Sequence, residues 1–103
     1  MNREIKFRIW DQRNKEMVHH GLQERNVKDF VLMQYTGLKD INGKEIYEGD
    51  LVRICGCELI SKVFWHKQGL CFSIKVGQLS DYTNVEIIGN IFANPELLKK
   101  EKL

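Results

Sequence analysis

The stretch Leu32-Met33-Gln34-Tyr35-Thr36-Gly37-Leu38-Lys39-Asp40-Ile41-Asn42-Gly43-Lys44-Glu45-Ile46-Tyr47-Glu48-Gly49-Asp50-Leu51-Val52 decides the fold class. It begins inside an apolar run of strand length, residues 30–35, which is expected to stop at Thr36-Gly37, where glycine relieves the backbone for a turn. Asn42-Gly43 follows, flanked by Asp40 and Lys44, and this pair readily adopts the positive φ angles that a tight reversal demands. Residues 45–50 then lead into a further strand over residues 51–55, with Gly49 supplying the bend between two short extended pieces. Two strands, a tight reversal and a bend in so few residues predict the corner of a small barrel.

Working outward, the same grammar repeats. Ile5, Phe7 and Ile9 alternate with Lys6, Arg8 and Trp10, which predicts a first strand over residues 4–10 with the isoleucines and Phe7 turned to the core. The polar run from Asp11 to Glu16 reads as a hairpin loop before a second strand near residues 17–20. Residues 21–29 are polar and weakly patterned, as a loop or short helical turn would be. Residues 58–66 and 70–76 are rich in β-branched and aromatic side chains and flank the hairpin loop Lys67-Gln68-Gly69, and residues 85–92 form the last strand. Helix signals come only at the end, where Asn94 can cap, Pro95 fits the first helical position and residues 96–101 follow. The chain is therefore expected to be mainly β: a small, strongly bent sheet or partly open barrel of about six short strands with a short C-terminal helix.

Length and composition agree with one soluble domain, residues 1–103. The chain has 43% hydrophobic and 29% charged residues, enough apolar content to bury a core. No run approaches the roughly 18 uninterrupted apolar residues of a membrane helix, and no signal-peptide core is present, so the expected location is the cytoplasm. Sixteen basic against fourteen acidic residues give a net charge of +2, far from the basic excess that advertises nucleic-acid binding. By blocks, residues 1–28 carry 7 basic and 4 acidic residues, residues 29–90 carry 6 and 8, and residues 91–103 carry 3 and 2. Cys55, Cys57 and Cys71 cannot all pair with one another, and reduced thiols are the simpler reading.

Three segments together resemble the YopX family of phage and prophage proteins: residues 3–11 (REIKFRIWD), the central stretch quoted above with its approach to Asp50, and residues 88–98 (IGNIFANPELL). The central segment is the specific part, and with its flanks the resemblance spans nearly the whole chain. It implies a compact β-rich domain in a phage or prophage gene set of a bacterial host cell. It implies no catalytic residues.

The chemistry-bearing residues support little catalysis. Cys55 and Cys57, with His66 and Cys71, could supply four zinc ligands across the next hairpin, yet they lack the two spaced ligand pairs of a zinc knuckle, and small buried cysteines pack as apolar residues. His19 and His20 point to opposite faces if they lie on a strand. Asp40, Glu45, Glu48 and Asp50 concentrate acid at one corner, where magnesium could bind, but turn capping and solvated charge explain them as well. Ser61, Ser73 and Ser80 lack a nucleophile elbow, and no Gly-rich loop cradles phosphate. No catalytic constellation and no cofactor are expected.

Two functions remain. The first is a non-catalytic protein-interaction module acting on a host or phage protein through exposed strands and aromatics. The alternative is a nucleic-acid-binding accessory protein in which Arg3, Lys6, Arg8, Arg13 and Lys15 contact phosphate while Trp10 or Trp65 stacks a base. The bland reading of the same basic residues is the wet face of an edge hairpin. A monomer and a symmetric, edge-paired homo-oligomer are both compatible with the pattern.

Overall fold

A computed structural model describes residues 4–19 and 29–99. Among these residues ten short strands follow in chain order: β1 (Phe7–Asp11), β2 (Glu16–Val18), β3 (Phe30–Lys39), β4 (Glu45–Tyr47), β5 (Asp50–Ile54), β6 (Ile60–Lys62), β7 (Phe64–His66), β8 (Cys71–Ile74), β9 (Gly77–Gln78) and β10 (Val85–Asn90). A one-turn helix, α1 (Glu96–Lys99), closes the described chain. The strands form three antiparallel ladders, β2-β1-β3-β4, β10-β5-β6 and β7-β8-β9, in a strongly curled half-barrel. The mainly β architecture with a short C-terminal helix is thus as the sequence predicts.

The strand count exceeds the expected six because runs that read as continuous are broken where the chain passes between ladders. Residues 58–66 split at Val63. Its N–H donates to the Asp50 carbonyl and its carbonyl accepts from Gly49 N–H, so both backbone groups go to the β4–β5 corner and β7 starts a new ladder. β9 has two residues, too few for any periodicity to register.

The first long strand runs past its expected stop. β3 continues through Thr36-Gly37 to Lys39, and the irregularity becomes a register shift against β4 between Tyr35 and Lys39. Thr36 Oγ1 donates to the Ile46 carbonyl at 2.7 Å and accepts from Leu38 N–H at 3.1 Å, which occupies backbone groups that the shift leaves out of the ladder. The reversal lies instead at residues 40–44, where Asn42-Gly43 predicts it, and Gly43 has φ of +82°. At the next corner Gly49 has φ of +88°, and a Cβ there would stand 2.9 Å from Met33 Sδ, so both backbone conformation and space call for glycine.

At the C-terminal end, the Leu97 N–H bonds the Asn94 carbonyl, as at the start of a helix, while the Asn94 side chain turns back to accept from Asn90 N–H. The remainder of the expected helix, residues 100–101, lies outside the described residues. So do His20 and residues 21–28, where the end of the second strand and the following loop were expected.

The core gathers side chains from all three ladders. Ile46, Val52, Val63, Phe72, Ile74, Leu79 and Val85 form one buried cluster, with Leu38, Ile54, Tyr82 and Ile87 packed at its margin. Each fully buried aliphatic side chain contributes roughly 1.5–3 kcal/mol, and ordering the chain offsets most of that total.

Candidate functional site

The strand nearest the N-terminus is turned over relative to its sequence pattern. Arg8 and Trp10 face inward, and Phe7 and Ile5 face out. Ile9 is buried as predicted, but so are Arg8 and Trp10, and of the expected apolar set Ile5 and Phe7 are left out, because the interior at this end of the half-barrel offers Arg8 better partners than it offers Phe7. Arg8 Nη2 donates to Asp50 Oδ1 at 2.6 Å and to the Glu48 carbonyl at 3.4 Å, and the guanidinium lies 4.7 Å from the Tyr47 ring centroid. Arg8 and Asp50 are 7% and 2% exposed, so this is a charge pair withdrawn from water. Asp50 Oδ2 in turn accepts from Tyr47 N–H at 2.8 Å. Burial pushes the Asp50 carboxyl up, against the opposing pull of Arg8 and the Tyr47 N–H.

Around this pair the other carboxylates of the acidic corner each have a local role. Asp40 accepts from the N–H groups of Asn42, Lys44 and Ile87, tying the β3–β4 turn to β10. Burial pushes its carboxyl up, but those three N–H groups outweigh it and hold the carboxyl below the ordinary value. Glu45 pairs with Lys6, whose ammonium lies 5.2 Å from the Tyr35 ring centroid. That bond lowers the Glu45 carboxyl and raises the Lys6 ammonium. Glu48 accepts from Gln34 N–H at 3.0 Å. Burial likewise raises the Tyr35 and Tyr47 phenols. A concave pocket of about 290 Å³ opens beside these residues, lined by Arg8, His19, Lys44, Glu45, Tyr47, Asp50 and Ile87. His19 stands edge-on to Tyr47 at 5.8 Å.

The opposite face of the same sheet is apolar and open. Register places Ile9 between Val18 on β2 and Leu32 on β3, with Phe7 opposite Gln34, and cross-strand partners share a face. Ile9 is covered, whereas Phe7 is 42% exposed, Leu32 61%, and Ile5, just before the strand, 69%. Sequence reasoning missed this surface because it sent the apolar set of β1 inward.

The residues expected to contact phosphate do not form one group. Arg8 is buried, and Trp10 is stacked on Phe92 with centroids 5.5 Å apart and planes at 12°. Lys6 is engaged by Glu45 and by Glu4 at 3.5 Å. Arg13 and Lys15 are exposed in the β1–β2 turn, where the Arg13 N–H donates to Asp11 Oδ1. Arg3 lies outside the described residues.

Cys55, Cys57 and Cys71 are free thiols. His66 and Cys71 oppose each other across β7 and β8, while Cys55 and Cys57 lie between β5 and β6. Among the described residues, no three His, Cys, Asp or Glu side chains are grouped to hold a metal ion. Ser61 is a bracket in the fold: its Oγ accepts from Lys75 N–H at 2.7 Å. No helix among the described residues is long and apolar enough to cross a membrane.

A family model described as YopX protein matches residues 19–99. Among solved structures, the crystal structure of protein EF1440 from Enterococcus faecalis is similar, with a TM-score of 0.74 and 24% sequence identity over 94% of this chain and 99% of that one. At that identity the likeness speaks to the fold alone. No curated protein matches the chain.

Proposed function

The chain belongs to the YopX family, and from that premise we propose that it is a non-catalytic accessory protein of a bacterial phage or prophage, working in the host cytoplasm by binding another protein. The observation that carries this reading is the apolar outer face of the first ladder, where Ile5, Phe7 and Leu32 stand exposed around the covered Ile9. Isolated exposed apolar residues are ordinary, but side chains gathered on one rigid sheet face form a surface that another protein can bury. The occupant is a protein that presents an apolar patch of its own. The ionisable groups on the inner face are engaged in holding the fold, Arg8 with Asp50, Asp40 with backbone N–H groups of Lys44 and Ile87, and Glu45 with Lys6.

Affinity capture from host lysate tests it, using tagged wild-type protein beside Leu32→Lys and Phe7→Ser, with nuclease and in moderate salt. The expected result is a nuclease-resistant, salt-tolerant protein partner that both variants lose while keeping the wild-type melting temperature. Retention of every partner by both variants, or capture of nucleic acid alone, would overturn the proposal.

A further inference from the structure

The charge of the chain looks different when it is followed along the fold. From Leu59 to Ser80, through β6, β7, β8 and β9, the sequence holds Lys62, Lys67 and Lys75 and no acidic residue. The whole chain has 16 basic and 14 acidic residues, so without these three lysines it has 13 against 14. This segment thus carries +3, as much as residues 1–28 do, but without any acidic residue among its lysines. Its nearest acidic neighbours in sequence, Glu58 and Asp81, lie at its two ends.

The same segment holds an exposed aromatic side chain. Trp65 on β7 lies opposite Phe72 on β8, with ring centroids 4.9 Å apart and planes at 71°. Phe72 is part of the core and packs edge-on beside the indole, and Trp65 remains 40% exposed. Lys67 lies in the β7–β8 turn, while Lys62 and Lys75 lie at the opposite end of the hairpin, where Lys75 N–H is bound by Ser61. All three lysines are exposed. Lys62 and Lys67 are five residues apart, about 16 Å along extended chain, with Trp65 between them. In the turn, His66 Nδ1 accepts from Gly69 N–H at 2.8 Å, and Leu70 has φ of +51°, so the connection has a defined shape.

We propose that the segment from the end of β6 through the β7–β8 hairpin binds single-stranded nucleic acid, with Trp65 stacking on a base and Lys62 and Lys67 following the phosphate backbone. Lysines also guard edge strands, and β7 and β9 are the outer strands of the third ladder. Edge protection, however, requires neither the exclusion of acid from the whole segment nor a tryptophan held at the surface. An exposed aromatic flanked by cations is the arrangement that binds unpaired bases with little regard to sequence. The lysines are distributed along the hairpin and not gathered around the exposed Leu70 at its tip, which favours a strand of phosphates over a lipid surface.

The test is a titration of the purified full chain with a short oligothymidylate, read by tryptophan emission. Trp10 is buried against Phe92, so quenching reports chiefly on Trp65. Saturable quenching is expected, with a slope of log K against log salt of about −1.4 for two phosphate contacts. Lys67→Gln should flatten that slope by about 0.7 without moving the melting temperature, and Trp65→Leu should weaken binding about tenfold. No saturable quenching at low salt would overturn the proposal, as would a slope untouched by Lys67→Gln. Binding to phosphatidylglycerol vesicles in place of the oligonucleotide, abolished by Leu70→Ser, would also overturn it. The site is independent of the protein-binding face, so Leu32→Lys should leave the quenching unchanged, and either proposal can fail without the other.

Discussion

Around Phe72 and Val52 the buried side chains are aliphatic, aromatic or the uncharged Ser61 and Ser73, whereas a few strands away, around Arg8, the interior holds a guanidinium, buried carboxylates and two tyrosine rings. The apolar region derives its stability from area removed from water and is indifferent to which apolar side chain supplies it, so long as volume is kept. The charged region is not indifferent. Slipping β1 by one residue would turn Arg8 out to water, bring Phe7 or Ile9 against Asp50, and leave that carboxylate buried without its partner. We read the Arg8–Asp50 pair as the device that fixes which face of β1 is outward, and so as the reason that Phe7 and Leu32 are available at the surface.

The largest effect should come from breaking that device on one side only. Asp50→Ala leaves Arg8 buried and uncompensated and is expected to destabilise the fold by about 4 kcal/mol in urea denaturation. Replacing both partners with apolar side chains, Arg8→Met with Asp50→Leu, should recover most of that loss, as buried pairs often do. If the single and double variants were equally unstable, the charge would not be what distinguishes the two regions. In the apolar region Leu79→Ala is the matching experiment, with an expected loss of about 3 kcal/mol from lost burial and a cavity. No second substitution at a single partner should restore it, since Leu79 packs against many neighbours.

The contrast also explains what the sequence disclosed. The reversal at residues 40–44 was legible because its determinants are local: Asn42-Gly43 specify it wherever the chain goes next. The inward face of β1 was not legible, because Arg8 is buried on account of Asp50, 42 positions away, and no alternation within residues 4–10 carries that information. Hydropathy ranked Ile5 and Phe7 above Arg8, and long-range pairing overrode the ranking. The basic stretch escaped for another reason: summing charge over residues 29–90 gave 6 basic against 8 acidic and concealed the acid-free segment within it. The family resemblance indicated the fold, but the surfaces emerged only from the register.

A smaller effect separates the regions by pH. Asp40 is held below its ordinary value in the folded state, so its contribution to stability is present above the unfolded carboxylate pKa of about 3.9 and is lost as pH falls through the lower folded value. Glu45, lowered by Lys6, contributes with the same sign. Asp40→Asn should therefore destabilise the protein by about 1.5 kcal/mol at neutral pH, through weaker acceptance from Asn42, Lys44 and Ile87. It should also flatten the acid limb of a stability profile measured by denaturation at a series of pH values. Leu79→Ala should lower the whole profile without changing its shape, because no titrating group is involved.

The smallest effect on stability should fall on the outer face, and its smallness is the point of the measurement. Leu32 is 61% exposed beside Ile9, so Leu32→Lys removes little buried area and should change the unfolding free energy by no more than about 0.5 kcal/mol. An exposed leucine that served folding would show its loss as a lower melting temperature, and one that served binding would show it only when the partner is present. A variant as stable as wild type that no longer retains its partner would locate function on the outer face of the first ladder and stability on the inner. A variant that unfolds would show that Leu32 shields Ile9, and would return the apolar face of this ladder to the fold.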